Sequence, residues 1–238
     1  MKNTRFYPTL NGECHLGHLF IALVNYHHAK NNNGAFIVRF EIEPWYLVEY
    51  HATECLMAMW RDSFKKTFDL VGIEAEYMPL LHDAQWVDEK LKEHVSLHDD
   101  YESTHGFEHI LSLIPQCPSI TAHAYYPTHC LMRVLLDNHY GVGEVIRGMD
   151  MLSENSLYIH YCKQLNLPVP QMSYCPLMQL KEGTNVRTVS KKHNNGKLSK
   201  LGDLSKDNLM QLLSSCLEDP AKGFVISNIK ENPVLHLV

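Results

Sequence analysis

Apolar positions in the first third of the chain alternate between two rhythms. Leu16, Leu19, Phe20, Leu23 and Val24 recur at helical spacing. Upstream, Thr4–Pro8 reads as a short strand closed by Pro8. Residues 36–41, Phe-Ile-Val-Arg-Phe-Glu, read as a second strand, reached through the loop Asn31-Asn32-Asn33-Gly34. A strand, a helix and a strand in quick succession predict a right-handed βαβ unit and a parallel sheet. Leu56, Met59, Trp60, Phe64 and Phe68 then mark a long amphipathic helix ending near Gly72.

The later pattern is similar in kind. Val142–Arg147 reads as a strand, Ser153 as a helix N-cap, and Leu157, Tyr161 and Leu165 as the face of that helix. Pro168 and Pro170 end it, and a strand around Met172–Leu177 follows. Arg187–His193 reads as a polar loop backed by Asn194, Asn195 and Gly196. Leu209, Leu212, Leu213, Cys216 and Leu217 predict a last amphipathic helix behind a cap at Asp203 or Ser205. Residues 83–114 hold eight acids and two Lys or Arg, which predicts a solvated helical insertion. There are no internal repeats.

Composition narrows the class. A chain of 238 residues, 45% hydrophobic, can bury one sizeable core. A net charge of −6 gives no global basic footprint for nucleic acid. Seven cysteines without Cys-x-x-Cys spacing predict reduced thiols rather than a disulfide framework or a cysteine zinc site. His105-Gly-Phe-Glu-His109 has helical ligand spacing but lacks the Glu directly after the first His that a zinc protease needs. Without an apolar leader or a membrane-length apolar run, the expectation is a soluble, cytoplasmic protein.

Chemistry enters at residues 12–18, Gly-Glu-Cys-His-Leu-Gly-His. His15 and His18 stand where a strand gives way to a helix, and free N–H groups there favour phosphate. Gly17 lets a ligand approach the backbone. The alternative is that one histidine caps the helix and the other is a partly buried core residue.

These residues resemble a known family. Thr4-Arg5-x-x-Pro8 through His15-Leu-Gly-His18, then Ala22-Leu23-x-Asn25-Tyr26 and Phe36–Glu41, is similar to the opening of glutamyl-tRNA synthetases, with His15–His18 as the HIGH motif. Val145-Ile146-Arg147-Gly148-x-Asp150-x-Leu152-Ser153, continuing to Pro168 and Pro176-Leu177, is a second match. Val189-Ser190-Lys191-Lys192-His193 resembles the KMSKS loop.

The resemblance implies a class I synthetase core: an α/β, Rossmann-like parallel sheet with a short helical insertion and a C-terminal helical piece. It implies one catalytic domain over 1–238, a shortened insertion at 80–124 in place of the acceptor-stem-binding region, and a C-terminal helical extension at 201–238. The implied reaction is attack of an amino-acid carboxylate on ATP, with Mg2+, to give an aminoacyl-adenylate of glutamate or a related amino acid. His15, His18 and Lys191 would be catalytic. Pro8, His15, Gly17, His18, Asp150, Val189, Ser190, Lys191 and Lys192 would hold ATP. Arg5, Glu41, His129, Arg133 and Arg147 would hold the amino acid, with the Arg5 fork suited to a carboxylate and Glu41 to the substrate ammonium.

Departures from the family bear on specificity. Thr188 stands where the loop motif begins with Lys, and Lys197-Leu-Ser-Lys200 is a second candidate loop. Arg133 falls where glutamate enzymes carry Asn, and His129 where they carry Tyr. Ile42-Glu43-Pro44 replaces the acidic continuation of their second strand. The acidic insertion and the 38 residues after Lys200, too few for an anticodon-binding domain, imply that tRNA or another acceptor is only weakly bound. Truncated glutamyl-Q enzymes share that shortness but carry a cysteine-rich zinc site. Two other readings stay open: an altered paralogue serving as a binding or adaptor protein, and a His-x-Gly-His nucleotidylyltransferase.

Overall fold

The computed structural model describes residues 2–41, 54–78, 130–182, 185–189 and 205–236. The insertion at 80–124, His129, Ser190, Lys191, Lys192, His193, Lys197 and Lys200 lie outside the described residues.

Short apolar runs form the strands at the centre. Strands β1 (Thr4–Phe6), β2 (Phe36–Val38) and β3 (Glu76–Tyr77) run parallel in the order β1-β2-β3. Strands β4 (Glu144–Gly148) and β5 (Gln171–Cys175) form a second parallel pair. A bridge from Asn3 to Val142, with the Gly143 N–H donating to the Asn3 carbonyl at 3.0 Å, sets β4 beside β1. The strand order is therefore 3-2-1-4-5, reversing direction between β1 and β4. In such a sheet, ligands bind beyond the carboxyl ends of the strands at that reversal.

Helices cover both faces. On one, α1 (Leu16–Asn31) and α2 (Glu54–Val71) bury Leu19, Leu23, Phe64 and Phe68 against Phe6, Val38, Phe40 and Ile146. The helical residues 130–139 (α3) and helix α4 (Asn155–Gln164) pack together through Leu131, Val134, Leu157, Tyr158 and Tyr161. Met172 of β5 touches both that cluster and the Ile37–Val142–Val145 cluster, placing α3 and α4 over the other face. Glu144, 2% exposed, ties α1 to the sheet: it accepts from the Ser173 hydroxyl at 2.8 Å and lies 2.8 Å from His28 Nε2.

The elements depart from the sequence expectation in three places. Ser153 does not cap α4; it lies inside a 3₁₀ turn, Met149–Glu154, and Glu154 is the residue at the helix boundary. Arg187 and Thr188 are not loop but the end of β7 (Asn185–Thr188), which pairs antiparallel with β6 (Gln179–Glu182). The segment 205–236 is not helix alone. Ser205 caps α5 (Lys206–Ser214) as expected, accepting from Asn208 N–H, but the chain continues to β8 (Val234–His236), parallel to β6. Leu209, Leu213, Cys216 and Leu235 from this segment lie in the same core cluster as α1 and α2.

Among the described residues, no helix is long and apolar enough to cross a membrane. Of the described cysteines, Cys55 is exposed and Cys14, Cys130, Cys162, Cys175 and Cys216 are buried. Burial pushes the Cys162 and Cys216 thiols up to about 11 and the Cys130 and Cys175 thiols up to about 12. An unfolded thiol ionises near about 8.5. Above that pH the unfolded chain loses protons that the fold keeps, so stability falls as pH rises toward about 11 to 12. The urea midpoint is expected to drop steadily through that window. In a Cys117→Ser variant at pH 8, a thiol reagent should modify Cys55 quickly and the buried five only on unfolding. Rapid modification of all six would contradict this packing.

Candidate active site

The first part of the site is the β1–α1 junction. The strand pairing continues past β1: Glu41 N–H donates to the Pro8 carbonyl at 3.0 Å and Leu10 N–H to the Glu41 carbonyl at 2.7 Å. This carries Pro8 and Glu41 together to the carboxyl edge of the sheet. His15 is the N-cap of α1, its Nδ1 accepting from His18 N–H at 3.2 Å. The capping reading therefore holds for His15. An accepting Nδ1 fixes a neutral His15 in the tautomer with its proton on Nε2, a donor aimed elsewhere.

The two imidazoles stack at 3.6 Å between centroids with their planes 17° apart. Phe64 lies 5.0 Å from His18 and Phe6 lies 6.1 Å from it. The helix begins with no acidic residue in its first turn, leaving its N–H groups and dipole uncompensated by a carboxylate there. Gly17 sits close against the histidine ring: a Cβ there would come within 3.1 Å of His15 Cε1, a tight contact, and within ordinary contact of Val189 Cγ1 at 3.6 Å. Val189 is held by its N–H on the Met178 carbonyl, at the end of the β6–β7 hairpin. The hairpin thus delivers the first residue of the Val189–Lys192 segment to the histidine turn.

At the end of β4 the chain turns through Gly148 into the 3₁₀ segment. A side chain on Gly148 would overlap the Asp150 carboxylate and come within 3.6 Å of Ile21 of α1. Asp150 is exposed beside the strand-order reversal.

The second part is a buried set of charges under α3 and α4, in two layers. In one, Arg5, 5% exposed, donates from Nε to both oxygens of Asp137 at 3.3 Å, and Tyr158 donates to Asp137 Oδ2 at 2.8 Å. The Arg5 guanidinium also lies over the Tyr7 ring, 4.8 Å from its centroid. In the other, Arg133 grips Glu41 with a fork, Nη2 to Oε2 at 2.7 Å and Nε to Oε1 at 3.1 Å. Its third nitrogen, Nη1, donates to Glu154 Oε2 at 3.0 Å. Arg147 Nη1 donates to the same oxygen at 3.1 Å, and Arg147 Nη2 to Asn155 Oδ1 at 2.6 Å.

Three arginines therefore face three carboxylates. Burial pulls the Arg133 guanidinium down, but Glu41 and then Glu154 outweigh it, and its pKa ends well above the usual value. Burial likewise pulls Arg5 down, Asp137 and then Tyr7 raise it, and Arg133 opposes it, so the two layers feel each other. Burial, with Asp137 next, drives the Tyr7 phenol well above its usual range. Arg5 and Arg133 therefore stay charged, and Tyr7 and Tyr158, whose phenol is likewise pushed well up by burial and then by Asp137, stay neutral near pH 7.

Of the expected site residues, the structure gathers His15, Gly17, His18 and Val189 at the α1 N-terminus, with Pro8 beside Glu41 at the carboxyl edge of the sheet and Asp150 at the end of β4. It links Glu41, Arg133 and Arg147 in one chain of ion pairs, with Arg5 in the adjoining layer. Asp137, Glu154, Asn155 and Tyr158 went unseen in the sequence. The signal was available: Arg133 and Asp137 are four apart, as are Glu154 and Tyr158, on otherwise apolar helix faces. A cavity of about 290 Å³, lined by Tyr26, Lys30, Phe36, Glu74 and neighbours, is formed by none of these residues.

Residues 2–42 match the family described as tRNA synthetases class I (E and Q), catalytic domain. Among solved structures, a glutamate tRNA ligase from Elizabethkingia meningosepticum, in complex with its amino acid, superposes with a TM-score of 0.67 at 12% identity. The match covers 100% of this chain and 67% of that one. A glutamate-tRNA synthetase from Elizabethkingia anophelis gives 0.65 at 12% identity, over 100% and 68%. A tyrosyl-tRNA synthetase from Archaeoglobus fulgidus, complexed with L-tyrosine, gives 0.58 at 18%, over 82% and 60%. Compared as a sequence with curated proteins, the chain matches none.

Removing Asp137 would strand the Arg5 charge in the interior. Asp137→Ala is expected to cost about 3–5 kcal/mol in urea unfolding. Tyr158→Phe should cost only about 1 kcal/mol, the worth of one hydrogen bond. Equal losses in the two variants would mean that Asp137 is not the counter-charge described.

Proposed function

We propose, from the premise that this chain is built on the class I synthetase catalytic core of the glutamyl and glutaminyl type, that it activates a small carboxylate-bearing amino acid as an adenylate. The observation that carries this reading is the turn in which stacked His15 and His18, Gly17 and Val189 meet at an α-helix N-terminus. That turn sits where the sheet reverses order, the crevice in which nucleotides lie in this architecture.

In the step, an oxygen of the ionised substrate carboxylate attacks the α-phosphorus of ATP. The new bond joins carboxylate oxygen to phosphorus, the bond from that phosphorus to the bridging oxygen breaks, and pyrophosphate leaves with the electron pair. A carboxylate with a pKa near about 4 is already ionised at neutral pH, so the step needs alignment and charge stabilisation rather than a base. His15, oriented by its capping bond, is suited to donate from its imidazole to a phosphate oxygen. His18 and the first N–H groups of α1 add donors beside it. Asp150 is suited to accept from ribose hydroxyls. Lys191 and Lys192 follow Val189 directly in sequence, which supports their role against the leaving pyrophosphate.

Among the described residues no group of three His, Cys, Asp or Glu side chains could hold a metal ion. Mg2+ enters this reading only with the phosphates of ATP, and no residue is assigned to it. Arg5 and Arg147 are suited to the substrate's carboxylates, and tRNA is the acceptor the resemblance favours.

One observation favours a second reading, a binding protein that no longer activates: Glu41 is already gripped by Arg133. Pyrophosphate exchange into ATP, scanned over the amino acids, separates the two. Exchange should be greatest with an acidic amino acid and fall by about 10²-fold or more in His15→Ala/His18→Ala. An unchanged rate in that double variant would remove the histidines from the mechanism. No exchange with any amino acid would leave the binding reading.

A further inference from the structure

In the buried charge network, each carboxylate already faces a guanidinium. Both Glu41 oxygens face the Arg133 fork, Glu154 Oε2 serves both Arg133 and Arg147, and both Asp137 oxygens face Arg5. The guanidinium groups are not equally spent. Arg5 Nη2 and Arg147 Nε are buried and have no hydrogen-bond partner among the described residues, on side chains of residues that are each 5% exposed. Buried polar groups are seldom left so. The unpartnered guanidinium nitrogens of this network are therefore donors.

That asymmetry bears on what can enter. A carboxylate brings acceptors and meets guanidinium nitrogens that lack one. An ammonium would need a carboxylate, and the nearest is clamped bidentately at 2.7 and 3.1 Å by a planar group whose geometry suits it better than a point charge does. We infer that Arg133 occupies the place a substrate ammonium would take, so that the site selects a small carboxylic acid through its carboxylate groups and does not read an α-amino group. The inference rests on the reading of this site as one that activates a carboxylate. It keeps the chemistry intact, because the attacking oxygen belongs to a carboxylate whether or not an amino group stands beside it.

The test compares acids that differ only by that group. Binding of glutarate and L-glutamate, and of succinate and L-aspartate, is measured by titration calorimetry on the full chain with ATP present. In the wild type, the amino-free acid of the preferred length should bind at least as tightly as its amino-acid counterpart. In Arg133→Gln, which releases Glu41, the amino acid should gain about tenfold over the amino-free acid, the size of one modest ionic contact. Circular dichroism establishes whether that variant is folded; if it is not, the wild-type comparison decides alone. A wild-type preference of about tenfold for the amino acid, or no binding of either acid, would overturn the inference. Pyrophosphate exchange on the same samples tests the activation reading separately. Equal binding without exchange sinks activation and leaves the inference standing, whereas exchange with a strongly preferred amino acid does the reverse.

Discussion

The fork from Arg133 to Glu41 is the contact on which the rest of the site depends. It joins α3 to the segment that follows β2, and through Glu154 it also fixes Arg147 at the end of β4 and the start of α4. Burying such charges is expensive, and an apolar substitute of the same shape would often be as stable. Removing one member alone is far worse, because it leaves a charge without a partner. The network thus commits three parts of the fold to one another, and holds two guanidinium groups rigidly with a donor still to be satisfied.

The sheet explains why these charges share an interior with the histidine turn. Strand order 3-2-1-4-5 sends the chain away from β1 in both directions, opening a crevice between β1 and β4. On the α1 face of that crevice stands the His15–His18 turn. On the α3 and α4 face stand the arginines. The donors of the helix terminus and those of the guanidinium groups thus face the same strand ends from opposite sides.

Much of this was legible because local and long-range demands agreed. The helical spacing of Leu16 to Val24 and of Leu56 to Phe68, and the apolar run at Phe36, have only one way to be buried, and α1, α2 and β2 follow. The histidine turn was legible as a helix start for the same reason, since a cap is wanted where the strand gives way to α1, and His15 supplies it. The β6–β7–β8 sheet was not, since its strands are three or four residues long and its parallel pair joins segments far apart in sequence. Glu154 was missed because the 3₁₀ turn moves the helix boundary one residue past Ser153. Asp137 and Tyr158 looked like ordinary polar helix positions, and only the folded chain reveals that both face Arg5.

The central claim is that Glu41 and Arg133 hold each other in the interior. A double-mutant cycle in urea unfolding with Glu41→Gln, Arg133→Met and the pair measures that directly. Close buried charge pairs couple by at least about 1.5 kcal/mol, and the two losses should therefore be strongly sub-additive here. Losses that simply add, to within about 0.5 kcal/mol, would mean that the pair does not exist in solution as described.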